Sequence, residues 1–140
     1  MKIALFITFL AIHTHLHAQE NVSICEPISL KCEHLNNPMG VDIPNPRLTW
    51  MLKDTRQGAM QTAYQLLVGT DSIAVSNNIG ERWDTGKQSK SDIIVSYKGK
   101  RLDPLTKYYW KVNVWDKNGK PSSSEISTFE TGMMGRSNWK

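Results

Sequence analysis

From Tyr108 to Trp115 the chain reads YYWKVNVW, and its alternation restricts the fold more than any other stretch. In an extended strand successive side chains point to opposite faces, so Tyr108, Trp110, Val112 and Val114 share one face, and Tyr109, Lys111, Asn113 and Trp115 share the other. The first face is uniformly apolar and must be covered. Two further runs show the same period. Leu48, Trp50 and Leu52 alternate with Thr49, Met51 and Lys53, and Tyr64, Leu66 and Val68 lie together on a third strand. Aromatic side chains from facing sheets, each burying on the order of 150–250 Å², would supply much of a small core.

Turn residues separate these runs. "NNPMGVDIPNP" follows the run ISLKCEHL at 28–35, and DTRQGAM precedes the run at 62–70. Asn118-Gly119 marks a hairpin after the aromatic strand. A short helical turn begins near Asp71, whose carboxylate is suited to cap it, and "RWDTGK", "DIIVSYKG" and "SEISTFETG" supply further short strands. Ser122, Ser123 and Ser124 read as loop residues entering the last of them. No stretch sustains a 3.6-residue apolar period over three turns. Seven short strands without crossover helices predict an all-β fold, a seven-stranded antiparallel β-sandwich.

The amino terminus has a different pattern. Lys2, an apolar run from Ile3 to Ile12, and Ala18 before Gln19 form the pattern of a cleavable signal peptide. Its apolar run is well short of the ~20 residues of a membrane-spanning helix. The expected organisation is a signal peptide at 1–18, a leader at 19–27, the sandwich at 28–132 and a linker at 133–140, with the protein secreted or periplasmic. His13, His15 and His17 would leave with the signal, and His34 alone does not make a metal site. Cys32 is expected as a buried thiol of the first strand and Cys25 as part of the loose leader. Their odd separation puts their side chains on opposite faces of a continuous strand, which disfavours a bridge.

Formal charge is +4, with the basic residues scattered and KGKR at 98–101 the densest cluster, expected to be a solvated loop. That dispersion gives no stripe for nucleic acid. Asp84, Asp92, Asp103, Asp116, Glu125 and Glu130 fall in turns or at strand ends, where carboxylates cap and keep edges soluble. No nucleophile elbow, phosphate-binding glycine loop or cofactor motif is present. The residues themselves therefore indicate no catalytic centre, metal or cofactor.

Leu102, Pro104, Thr106, Tyr108 and Val112 stand in the order L-x-P-x-T-x-Y-x-x-x-V, which together with Trp50 resembles a fibronectin type III domain, of immunoglobulin-like architecture. In such a corner the tyrosine hydroxyl bonds back to the preceding turn. Longer stretches are more specific: "LKCEHLNNPMGVDIPNPRLTWMLKDTRQGAMQTAYQLLVGT", "RWDTGK" and "YYWKVNVWDKNGKPSSSEISTFETG" resemble the amino-terminal domain of bacterial α-L-rhamnosidases of glycoside hydrolase family 78. The resemblance runs from Ile28 to Gly132. It implies an accessory domain ahead of an (α/α)6 barrel that removes terminal α-L-rhamnose with inversion. No motif of that barrel matches here, so no catalytic residue is carried over, and the chain is expected to be a fragment whose partners are the parent's downstream domains. The other reading is a free-standing secreted module that binds carbohydrate or another protein, with rhamnose-containing glycans among the expected partners. Trp83, Tyr109 and Trp115 are the candidate side chains for either an interface or sugar stacking.

Overall fold

The structure, a computed structural model, describes residues 25–135. The proposed signal peptide, its histidines and residues 136–140 lie outside the described residues. Eight strands and one helix follow in order: β1 (Glu26–Cys32), β2 (Arg47–Lys53), β3 (Gln61–Gly69), α1 (Ser72–Ser76), β4 (Trp83–Asp84), β5 (Ile94–Ser96), β6 (Lys107–Asp116), β7 (Pro121–Ser123) and β8 (Ser127–Glu130). One sheet has the order β1-β2-β5, the other β4-β3-β6-β7 with β8 also on β6. Every strand pair is antiparallel. This is the expected immunoglobulin/fibronectin type III-like sandwich.

The eighth strand arises because residues 121–123, expected as part of a loop, form β7 ahead of the last expected strand, β8. β3 holds one edge of β6, so β7 and β8 share the other edge, β7 along Asn113–Trp115 and β8 along Lys107–Trp110. Between them the ladder slips by one residue. Ser124 fills the gap: its amide donates to the Val112 carbonyl at 2.9 Å and its Oγ accepts from the Val112 amide at 3.1 Å. Ser122 and Ser123 therefore belong to a strand and Ser124 completes its pairing, in place of the expected loop. Their short side chains can substitute for backbone partners, which sequence periodicity does not register.

The core lies between the sheets. Leu48, Trp50, Tyr64, Leu66, Val68, Tyr108, Trp110, Val112 and Val114 are all buried, as alternation predicts, and Leu52 packs partly buried against them. Trp50 and Tyr64 have ring centroids 5.5 Å apart, and Tyr108 stacks on Phe129 at 5.3 Å. Leu102 is buried beneath the corner, and the Tyr108 hydroxyl accepts from the Asp103 amide. The hairpin after β6 closes with the Gly119 amide on the Asp116 carbonyl at 2.9 Å and with Gly119 at φ +76°. Only the glycine of the Asn118-Gly119 pair is left-handed, so the turn is a three-residue loop with a glycine bulge.

Helix α1 covers the outer face of the larger sheet. Asp71 caps it as expected, accepting from the Ile73 and Ala74 amides, and Val75 is buried against the strands. Beneath it Lys111, on the face of β6 opposite the core, is buried with Nζ on the Ser76 carbonyl at 3.1 Å. Burial pushes its pKa down.

The first strand begins at Glu26, ahead of Ile28, and Cys25 is 1% exposed. Cys25 is thus packed into the domain and is not leader. Burial, and then the charges of nearby Asp54, Arg56 and Asp116, act on its thiol. Both cysteines are free. At the other end, Gly132 donates to the Val41 carbonyl at 2.9 Å and Met134 to Asp42 Oδ1 at 2.8 Å, so pairing persists beyond Gly132.

Candidate functional site

The three candidate aromatics are not brought together. Val68 is an inner-face residue of β3 and pairs with Trp83 of β4, which places Trp83 on the core side. Trp83 meets Tyr97 edge-on with centroids 5.1 Å apart. The 97–100 turn closes over this pair: Tyr97 Oη donates to the Lys100 carbonyl at 2.6 Å, and burial first, then the neighbouring Tyr108, pushes its pKa up to about 12. Gly99 is required there, because a Cβ would stand 2.5 Å from both the Arg82 carbonyl oxygen and Trp83 Cβ. The flanking lysines and Arg101 remain exposed, as expected of that cluster.

Tyr109 and Trp115 lie on the opposite, outer face of β6. They are six positions apart along the strand, roughly 20 Å, and Lys111 and Asn113 lie between. Asn113 is tied to Gln65, Asn78 and Ser123, so this stretch is a closed polar seam. Each aromatic carries its own cation: Lys107 Nζ lies 5.6 Å from the Tyr109 ring centroid and Lys87 Nζ 4.7 Å from that of Trp115. No continuous aromatic platform results.

Trp83 instead contributes to a groove of about 430 Å³ where the edges of the two sheets face each other, with Tyr64, Gln88, Lys90, Asp92 and Lys98 among its other walls. Sequence reading missed this groove because it sets Tyr64 of β3 against residues 83–98, whose two short strands belong to different sheets. The Gln88 amide and carbonyl both bond to Tyr64, which fixes its floor.

The carboxylates serve the fold. Asp116 Oδ1 accepts from the Lys120 amide at 2.9 Å and the Asn118 amide at 2.8 Å, and its Oδ2 meets Arg56 Nη2 at 3.0 Å. The same guanidinium binds Asp54. The Lys120 amide, with help from Asn118 and Arg56, holds the Asp116 carboxyl below the usual carboxylate range against the opposing effect of burial. Asp84 accepts from Gln65 Nε2 and the Gly86 amide, and Asp103 pairs with Arg82 at 2.8 Å. Among the described residues no three His, Cys, Asp or Glu side chains cluster as a metal would require, and no helix is long and apolar enough to cross a membrane.

Comparison with known proteins identifies the whole sandwich. Residues 27–135 match the family model described as "Rha78A-like, N-terminal immunoglobulin domain". An alpha-L-rhamnosidase of Streptomyces avermitilis is 39% identical over 109 residues, which cover 76% of this chain and 10% of the relative. One from Formosa agariphila is 35% identical over 106 residues, 74% of this chain and 11% of the relative. Among solved structures, the alpha-L-rhamnosidase from "Dictyoglumus thermophilum" superposes with a TM-score of 0.78 at 44% identity, covering 82% of this chain and 13% of that one. The Streptomyces avermitilis alpha-L-rhamnosidase complexed with L-rhamnose gives the same TM-score at 37% identity, with 84% and 11% covered. The chain spans about a tenth of the length of the relatives it matches, and along that tenth both its fold and its sequence make it a member of the Rha78A-like N-terminal immunoglobulin domain family.

Proposed function

We propose that residues 25–135 are the N-terminal accessory β-sandwich of a secreted or periplasmic α-L-rhamnosidase, supporting the packing of an enzyme that removes terminal α-L-rhamnose by inversion elsewhere in its polypeptide. The observation that carries this reading is the match of residues 27–135 to the amino-terminal domain family. The chemistry of the carboxylates supports it. An inverting pair needs two carboxyls about 6.5–9.5 Å apart across a cleft, with their pKa values split, whereas Asp116 is committed to a turn and Asp103 to Arg82. Export rests on the signal-like pattern of residues 1–18.

A chimera tests the reading. In the Streptomyces avermitilis enzyme the segment matched by this chain is deleted, or replaced by residues 25–135. Release of p-nitrophenol from p-nitrophenyl α-L-rhamnoside is then measured, together with the thermal midpoint. The replacement is expected to recover the activity and stability that deletion removes, while Gln19–Lys140 alone releases none. Turnover by the short chain, or a chimera no better than the deletion, would overturn it.

A further inference from the structure

Exposed apolar side chains concentrate near the carboxyl end of the matched domain. Leu35, Met39 and Ile43 are all exposed, Met39 at 78%, and they line one groove of about 200 Å³. Hydrogen bonds join this groove to residues 131–134. Val41 pairs in parallel with Thr131, Gly132 donates to the Val41 carbonyl, and Met134 donates to Asp42 Oδ1. Met133, between those last two donors, is itself exposed. Leu105 adjoins it, its amide on the Gly132 carbonyl at 2.9 Å. It is 74% exposed and held at φ +51°, a left-handed conformation unfavourable for leucine.

A contiguous apolar patch is a cost in water unless something covers it. Other exposed apolar side chains lie elsewhere: Met51 and Ile94 on the outer face of the β1-β2-β5 sheet, Ile73 and Ile79 about α1. Among the described residues, the Met39 patch is the exposed apolar cluster bonded to residues 131–134, the last part of the matched domain. A segment tethered a few residues away is present there at high effective concentration and needs little intrinsic affinity. In the matched relatives the corresponding domain is amino-terminal and makes up 10–13% of the chain, so most of their polypeptide follows this point.

We infer that Leu35, Met39, Ile43, Leu105 and Met133 form the docking surface for the domain that follows in the same polypeptide, with Met39 at its centre. This rests on the accessory-domain reading and adds which face is used. The aromatic face of β6 does not serve, since its middle is sealed by Lys111, Asn113 and α1. The partner surface is apolar, because the groove beside Met39 offers side chains of that kind.

Methionine oxidation reports this without any substitution, since sulfoxide formation follows exposure. Dilute hydrogen peroxide is applied to Gln19–Lys140 and to the chimera described above, and each methionine is followed by peptide mass spectrometry. In the free chain Met39, Met51, Met60 and Met133 all oxidise, consistent with their exposure. In the chimera Met39 and Met133 are expected to slow about tenfold, while Met51 and Met60 keep their free-chain rates. An active chimera in which Met39 still oxidises as fast as Met51, or in which Met51 is the protected residue, overturns the inference and leaves the accessory-domain reading standing. A chimera as inactive as the deletion takes both down.

Discussion

The phenolic oxygen of Tyr108 accepts a hydrogen bond from the Asp103 amide, 2.7 Å away and five residues upstream. This single bond ties the β6 strand to the corner that feeds it. Thr131 Oγ1, donating to the Asp103 carbonyl, ties the same corner to the residue that follows β8. Tyr108→Phe keeps the buried ring and orphans the amide, so it is expected to cost about 1–3 kcal/mol. Urea unfolding measures it, and an unchanged midpoint would mean that this bond adds nothing to the stability of the corner.

Gln61 is a buried polar link between strands. Its Oε1 accepts from Trp50 Nε1 at 2.9 Å while its Nε2 donates to the Asp92 carbonyl at 2.8 Å. Gln61→Leu is expected to cost about 1–3 kcal/mol by leaving these groups unpaired. In a Trp50→Phe background the loss should shrink, because the indole donor has already gone. Trp110 Nε1 has no partner among the described residues, so a Trp110→Phe background should leave the cost unchanged. Equal costs in both backgrounds would exclude the pairing.

Asp116 makes the fold acid-sensitive. Its folded pKa lies below its unfolded value, with the Lys120 amide the main cause, so its contribution is complete above the unfolded value of about 4 and is lost as pH falls through the folded one. Glu33, lowered by its Arg47 bonds, adds a second slope of the same sign. Asp116→Asn should be less stable at pH 7 and should lose less between pH 5 and pH 2 than the parent, a range set by about those reference values. Parallel stability curves for the two would remove Asp116 from this role.

Both thiols should be inert in the folded protein. Burial, with a smaller effect of Glu33, pushes Cys32 up to about 12, and burial followed by Asp54 raises Cys25. Neither should react with a disulfide reagent until denaturant is added, after which both should. Rapid labelling of the native chain, or an intact mass short by two hydrogens, would contradict the buried free pair.

Elements with a long or punctuated pattern could be read from residues alone. The ten residues of β6 give parity enough repeats to assign Trp110 to the core, and Asp71 and Gly119 announce their turns by chemistry. Trp83 sits in a strand of two residues, too short for alternation to show which side it faces. Cys25 is buried by segments that meet it only in space, and Lys111 is covered by α1. Sequence period assigns a side chain to a face, but not what covers that face. For that reason the aromatics of β6 drew attention as a candidate surface, while the irregular loop of Met39, which has no period, did not.

The loop at residues 37–42 also fixes when the domain can be completed. Asn37 Oδ1 accepts from Ser127 Oγ and the Thr128 amide, and Asp42 accepts from the Met134 amide, each spanning at least ninety residues. Contacts of such separation are late and slow to form. A chain emerging from its amino end holds half of this seam exposed until the last strand arrives. Completion of this seam therefore waits for the final strand, whatever the rest of the sandwich has already paired.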